Sequence, residues 1–201
     1  MGFNMQSFET DGAAMSWLNE PPQWTETGGG LDIVTGAETD FWQETHYGFR
    51  HDNGHFRYRL VSGDFTAETV FSARYESLYD QAGLMIRFSE RCWLKAGVEF
   101  VHGRCTIGTV LTRIKSDWAI GPVVATDRPI RLRLTRRDDT VCVQWGYGDA
   151  EAPFETLRLG ALSSEAEAMI GPMTCSPTRA GLVARFTDFR ILPPVDFAAE
   201  V

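Results

Sequence analysis

The sequence is poor in cysteine, in positive charge and in long apolar runs. Its 201 residues include four cysteines, and no two of them form a Cys-x-x-Cys pair. Sparse, unpaired cysteines are typical of a reduced, cytoplasmic protein, although two disulfides remain an alternative. The net charge of −8 argues against a partner that is nucleic acid or an anionic membrane. No apolar run reaches the length of a membrane span, and residues 1–15 lack the basic start and apolar run of a secretory signal.

Several signatures of chemistry are missing as well. The sequence has no Gly-x-Ser-x-Gly nucleophile motif, and no Gly-Lys-Ser/Thr follows the three glycines at residues 28–30. His51 and His55 flank a turn and could ligate a metal, but their spacing matches no strong zinc signature. We therefore expect neither a cofactor nor a metal.

What the sequence does contain is a repeated alternation of apolar and polar residues. Residues 79–99 show it best, because they predict two strands joined by a short polar turn at residues 89–91. The second strand has an apolar face and a face that mixes charges with an aromatic ring, namely Leu94, Ala96, Val98 and Phe100 against Trp93, Lys95, Gly97 and Glu99. The apolar face is expected to pack in a core, and the mixed face is predicted to form the floor of a binding cleft.

The same alternation over the rest of the chain predicts an all-β protein. We count about eleven to thirteen strands at roughly ten-residue spacing, which favours a two-sheet antiparallel β-sandwich. Asp138 and Asp139 predict a hairpin turn, and residues 116–118 are expected to close another hairpin. Only residues 163–167 look locally helical. We expect a flexible leader over residues 1–16 and a single domain over residues 17–201.

The cleft prediction extends to side chains from several segments. Flat rings beside amides and charges suit a sugar or another polyhydroxylated ligand, because its C–H faces stack on rings while its hydroxyls hydrogen-bond. Thr112 is an alternative to Arg113, since only one of the two neighbours can face the cleft. The predicted ligand-binding residues are Asp40, Trp42, His46, Asp80, Gln81, Trp93, Lys95, Glu99, Arg113, Asp117 and Trp118.

Two alternatives to simple ligand binding stay open. A glycosidase needs two carboxylates, and Glu99 has no second acid on its own strand, so Asp40, Asp80 or Asp117 would have to supply one. An ion pair of Glu99 with Lys95 that fixes a binding surface is the simpler interpretation. A protein-interaction module would instead present a flat exposed patch.

Several segments together resemble one protein family. They are Thr39-Asp40-Phe41-Trp42, Thr45-His46-Tyr47-Gly48-Phe49, Asp52-Asn53-Gly54-His55-Phe56, residues 79–85, residues 93–99 and Ser116-Asp117-Trp118. The chain is similar, over roughly residues 17–192, to the regulation of enolase family. This resemblance implies the concanavalin A-like jelly roll of lectins and glucanases. It implies no catalytic residues, and it implies a protein partner only through the enolase link of one branch.

Overall fold

The computed structural model describes residues 14–148 and 153–197, and these residues form sixteen strands and no α-helix. The strands are β1 Ser16–Leu18, β2 Gln23–Thr27, β3 Gly30–Val34, β4 Phe41–Gln43, β5 Arg50–Asp52, β6 His55–Ser62, β7 Phe65–Ala73, β8 Gln81–Ser89, β9 Cys92–Val101, β10 Arg104–Arg113, β11 Lys115–Val123, β12 Ile130–Arg137, β13 Thr140–Tyr147, β14 Glu155–Ala161, β15 Glu167–Cys175 and β16 Val183–Leu192. No helix in the described ranges is long and apolar enough to cross a membrane.

Fourteen of the strands form two seven-stranded antiparallel sheets. Sheet A has the order β1-β6-β15-β8-β9-β10-β11, and sheet B has the order β14-β13-β12-β7-β16-β3-β2. The short strands β4 and β5 form a separate two-stranded sheet. The predicted two-sheet antiparallel sandwich is confirmed.

The main core lies between the two sheets and consists of the apolar faces that alternation predicted. From sheet A, Leu84, Leu94 and Val98 are buried there; from sheet B, Leu132 and Val143 pack in the same cluster. Each of these side chains is at most 1% exposed. Because burying such a side chain contributes about 1.5–3 kcal/mol, the alternation fixes which face of each strand turns inward.

A second, smaller core lies on the outer face of sheet A. Phe41 and Trp42 of β4 pack over this face against a set of buried residues that includes Phe56, Met85, Trp93, Val110, Met173 and Cys175. Arg87 of β8 ties β5 to the sheet through two hydrogen bonds to Asp52, at 2.6 and 2.8 Å. The β4–β5 unit therefore covers one part of the outer face and leaves another part open beside it.

Three glycines lie side by side across sheet A. Gly97 of β9 pairs with Gly83 of β8 on one side and with Gly108 of β10 on the other. A Cβ atom on Gly83 would lie 2.0 Å from the Ala96 carbonyl oxygen, and one on Gly97 would lie 2.1 Å from the Ala82 oxygen. The strands approach so closely here that no side chain fits.

Local structure differs from the sequence prediction in a few places. The hairpin at Asp138 and Asp139 is confirmed, since these residues join β12 to β13. The helical turn predicted for residues 163–167 is wrong, because this segment runs as a loop into β15. Residues 116–118 belong to β11 and do not form a turn.

The predicted leader lies mostly outside the described residues. Of this leader only residues 14–16 are described; Met15 is buried in the main core, and β1 begins at Ser16.

Candidate functional site

A cleft of about 330 Å³ opens on the outer face of sheet A, beside the β4–β5 unit. This volume lies at the lower end of the range for small-molecule sites. It is lined by Glu38, Asp40, Trp42, Tyr47, Phe49, His51, Tyr79, Gln81, Lys95, Glu99, Val110, Trp118, Pro177 and Thr178.

The floor of the cleft comes from four adjacent strands. Gln81 of β8 is paired in register with Glu99 of β9, while Val110 of β10 is paired with Lys95 on one side and with Trp118 of β11 on the other. Alternate residues of a strand share a face, so these five side chains all point outward while their neighbours fill the core.

Glu99 lies at the centre of this floor and is held by two neutral donors. Its Oε1 accepts a hydrogen bond from Gln81 Nε2 at 2.9 Å, and its Oε2 accepts one from Trp118 Nε1 at 2.9 Å. Burial raises the pKa of Glu99 to about 7, and the Asp40 charge adds to this rise, while Lys95 and the Trp118 hydrogen bond oppose it. Glu99 is therefore a carboxyl group that changes charge near neutral pH.

The sequence analysis suggested an ion pair between Lys95 and Glu99. In the structure Lys95 forms its ion pair with Asp40 instead. Its Nζ lies 2.8 Å from Asp40 Oδ1, and the two side chains are 4% and 16% exposed. Burial by itself would lower the pKa of Lys95, but the charge and hydrogen bond of Asp40, together with other negative groups that include Glu99, raise it overall. Lys95 stays charged, and the pair fixes Asp40 of the wall against the floor.

Five aromatic side chains form a continuous wall, which we call the aromatic belt: Trp42, Tyr47, Phe49, Tyr79 and Trp118. Tyr47 stacks on Phe49 at 5.2 Å between centroids and meets Trp42 edge-on at 5.9 Å. Tyr79 meets Trp118 edge-on at 6.2 Å. The side chains of Tyr47 and Tyr79 bring the two groups together, since interaction with Tyr47, with burial, raises the pKa of Tyr79 to about 12.

The loop that carries two rings of the belt is held by its own backbone. Glu44 N–H donates to the Phe49 carbonyl oxygen at 2.9 Å, and Gly48 N–H donates to the Glu44 oxygen at 2.8 Å. The Glu44 carboxylate forms ion pairs with Arg50 and Arg91. Tyr47 and Phe49 are thus presented by a closed turn, although their side chains are 49% and 43% exposed.

The structure brings six of the predicted site residues together in the cleft: Asp40, Trp42, Gln81, Lys95, Glu99 and Trp118. The register of sheet A brings Gln81, Lys95, Glu99 and Trp118 together, whereas Asp40 and Trp42 reach the cleft from the segment that packs over the sheet.

Two further predicted residues are fully buried elsewhere. Trp93 shares the outward face with Lys95 but is 0% exposed, because Phe41 of β4 packs against its ring at 6.2 Å. Asp80 is also 0% exposed, and its carboxylate is bound by Arg179 and by the Ser176 hydroxyl. Burial opposes ionisation of Asp80, but these hydrogen bonds prevail and lower its pKa. Neither side chain can contact a ligand in the cleft.

The last three predicted residues point away from the cleft or lie outside it. Asp117 faces the opposite side of β11 from Trp118, and it pairs with Arg158 at 3.5 Å. Arg113 is exposed at the end of β10, and the alternative Thr112 is buried in a hydrogen bond to Ser116. His46 is exposed in the β4–β5 loop, where its ring contacts Tyr47 at 4.8 Å.

Sequence reasoning left out several lining residues. The sequence does indicate a place in the cleft for Tyr47, Phe49 and Tyr79, because they belong to polar-aromatic segments that lack the alternation of a core-facing strand. The sequence gives no such indication for Glu38 and Thr178, because isolated loop residues show no recognisable pattern.

At the histidine turn, both ring nitrogens of His55 are engaged by the backbone. His55 Nδ1 donates to the Asn19 carbonyl oxygen at 2.7 Å, and its Nε2 accepts from Gly36 N–H at 3.0 Å. Within the described ranges, no group of three or more His, Cys, Asp or Glu side chains could hold a metal ion.

Comparisons with known proteins agree with this architecture. A family model described as "Protein of unknown function (DUF1349)" matches residues 17–194. The chain is 35% identical over 191 residues to "Regulation of enolase protein 1" of Saccharomyces cerevisiae, covering 95% of this chain and 96% of that protein.

Solved structures share the fold. A functionally unknown protein from Saccharomyces cerevisiae superposes with a TM-score of 0.86 and 36% identity, covering 90% of this chain and 97% of that one. The carbohydrate-binding module CBM66 from Bacillus subtilis has a TM-score of 0.54 at 14% identity, covering 88% and 94% of the two chains. A GH43 protein from Bacillus licheniformis superposes with a TM-score of 0.68 at 18% identity, covering 94% of this chain and 39% of that one. The predicted jelly-roll sandwich is confirmed.

Proposed function

The chain belongs to the DUF1349 family of proteins of unknown function, and we propose that its cleft binds a carbohydrate-like or other small polar ligand without catalysing its reaction. The observation that carries this proposal is the lining of the 330 Å³ cleft, in which the aromatic belt stands beside amide, carboxylate and ammonium groups. Rings supply surfaces for C–H groups, and the polar side chains supply hydrogen bonds to hydroxyls.

The polar groups of the floor are held in place before a ligand arrives. Gln81 and Trp118 both bind Glu99, and Lys95 binds Asp40, so each side chain already has a defined position. A site arranged in this way loses little side-chain entropy on binding. The likeness of the fold to the carbohydrate-binding module supports the sugar class in particular.

The test is a glycan array combined with a metabolite thermal-shift screen. Wild type is compared with Lys95→Met and Glu99→Gln, which alter the floor, and with Asp117→Asn, which changes a carboxylate on the far side of β11. We expect a ligand that stabilises wild type and Asp117→Asn but not the two floor variants. Binding that survives both floor changes in folded proteins would show that the cleft is not the site.

A regulatory role is a second candidate, because the relative with 35% identity over nearly its whole length is named for the regulation of enolase. If this chain acts similarly, adding it to a purified enolase should change the enolase rate. No change at a molar excess of the protein would remove this candidate.

Acid–base catalysis is a third candidate, favoured by the state of Glu99. Burial and the Asp40 charge raise the pKa of Glu99 to about 7, so this carboxyl group can hold a proton near neutral pH, as the general acid of a glycosidase must. Release of nitrophenol from a panel of nitrophenyl glycosides would reveal such activity. It should vanish in Glu99→Gln, and a rate equal to the uncatalysed one in wild type would exclude it for those substrates.

A further inference from the structure

The lining of the cleft carries more negative than positive charge. Three carboxylates, Glu38, Asp40 and Glu99, face a single ammonium group, that of Lys95. Lys95 is already paired with Asp40 at 2.8 Å, so its charge is largely balanced by that partner. When Glu99 is ionised, these four side chains carry three negative charges and one positive charge, so they remain net negative although Lys95 also acts on Glu99.

Glu99 shows the effect of this imbalance. Both of its oxygens accept hydrogen bonds, but the donors are an amide and an indole, neither of which is charged. Burial and the Asp40 charge together raise its pKa to about 7 in spite of Lys95. A buried carboxylate of this kind is stabilised by a nearby positive charge.

The rings of the aromatic belt also lack a cation. Among the described residues, every cation that lies over an aromatic ring does so at a ring outside the belt. Lys95, for example, lies 5.9 Å from the centre of the Trp93 ring, which Phe41 and Trp42 of β4 help to bury. Trp118 belongs to the belt and its Nε1 donates a hydrogen bond to Glu99, so an electron-rich ring lies directly beside the carboxylate. Several rings around a carboxylate are the arrangement with which proteins recognise organic ammonium groups.

From this juxtaposition we infer that the ligand of the cleft carries an organic ammonium group, which lies between the aromatic belt and Glu99. The inference rests on the proposed binding function and narrows its ligand class. An amino sugar and a quaternary ammonium compound are two sources of the same group, and both offer C–H surface to the rings.

The test uses two pairs of probes that differ in charge but not in shape. The first pair is 6-amino-6-deoxyglucose, whose amine is mostly protonated at about pH 8, with glucose, and the second is choline with 3,3-dimethylbutan-1-ol, its neutral carbon isostere. Affinities for the wild-type protein are measured by isothermal titration calorimetry at about pH 8, where Glu99 is mostly ionised, with probe concentrations up to about 10 mM. We expect the charged member of at least one pair to bind at least about tenfold more tightly, the factor that one desolvated cation–π contact or ion pair provides.

A variant locates the effect, and its control checks the folded state. Glu99→Gln should reduce the preference for the charged probe to below about threefold, whereas Asp117→Asn, an equal charge change outside the cleft, should leave it unaltered. The comparison of charged and neutral probes on wild type needs no variant, so a Glu99→Gln protein that fails to fold does not remove the test.

The outcomes separate the two proposals. Equal or weaker binding of the charged probes overturns the ammonium inference but leaves a polar-ligand site in place. Failure of all four probes also overturns it, while the glycan and metabolite screen decides the broader function independently. A charge preference that persists in Glu99→Gln shows that the ammonium group lies elsewhere and equally overturns the assignment.

Discussion

Replacing Glu99 by glutamine should change how the stability of the protein depends on pH. The folded state raises the pKa of Glu99 from an ordinary 4.5 to about 7, so between these values the folded protein holds a proton that the unfolded chain releases. The contribution of Glu99 to the free energy of unfolding therefore falls as pH rises through this range. Since each tenfold change in proton affinity is worth ~1.4 kcal/mol, the full effect is about 3 kcal/mol.

Glutamine mimics the protonated carboxyl group and does not titrate. It also fits the existing contacts, because its oxygen can accept from Trp118 Nε1, and Gln81 can turn its amide to accept from the new NH₂ group. We therefore expect Glu99→Gln to gain about 3 kcal/mol relative to wild type between about pH 4.5 and about pH 8.

The assay is urea unfolding followed by tryptophan fluorescence at a series of pH values. Asp117→Asn serves as the control for the loss of one negative charge, since Asp117 is exposed and faces away from the cleft. If the stability curves of Glu99→Gln and wild type run parallel from pH 4.5 to 8, the described environment of Glu99 is wrong.

Three further changes have expected outcomes. Lys95→Met should lower the free energy of unfolding, measured with urea, by about 3 kcal/mol, because Asp40 loses its partner. Adding Asp40→Asn to this variant should recover part of the loss. A free energy of unfolding that is unchanged in Lys95→Met would contradict the ion pair. Gly97→Ala should cost about 2 kcal/mol or more, since the new Cβ meets a backbone oxygen at 2.1 Å, whereas Gly28→Ala meets nothing within 4 Å and should stay within about 0.5 kcal/mol. Burial lowers the pKa of His55 despite an opposing hydrogen bond, so the contribution of His55 to the free energy of unfolding should decline as pH falls below 6.5, where the unfolded chain binds the proton first, opposite in sign to the contribution of Glu99. An NMR titration of His55 with a midpoint above 6.5 would refute this.

Alternation in the sequence was enough to predict the sandwich and the orientation of β8 and β9. Since side chains on a strand point to opposite faces, Lys95 and Glu99 could be placed on the outer face together with Gln81. The apolar partners on the other face, such as Leu94, fill the core as expected.

The same rule could not tell what covers each outer face. Trp93 alternates in phase with Lys95, yet β4 packs on it from a segment about fifty residues earlier in the chain, a long-range contact that no local pattern encodes. Asp117 and Trp118 were both assigned to the cleft because residues 116–118 were interpreted as a turn. As neighbours on β11 they must face opposite ways, and only Trp118 remains.

The Asp80 error has an electrostatic cause. A carboxylate next to aromatic residues predicts a ligand contact as readily as a structural one. Here the Asp80 carboxylate accepts hydrogen bonds from the backbone N–H groups of Glu76 and Ser77 and from Arg179, which lies about a hundred residues later in the chain. These donors occupy the carboxylate oxygens.

The row formed by Gly83, Gly97 and Gly108 has a consequence for how the site could change over time. Gly97 and Gly108 also border a water-sized crevice, about 20 Å³, beneath Glu99 and Trp118. At the glycine row itself the strands have no side chain, and a Cβ atom on Gly83 or Gly97 would collide with the main chain of the neighbouring strand. Selectivity among ligands can therefore be altered by substitutions in the loops, in β4–β5 and at the floor side chains, while the glycine row between those side chains has no room for a larger residue and stays as it is.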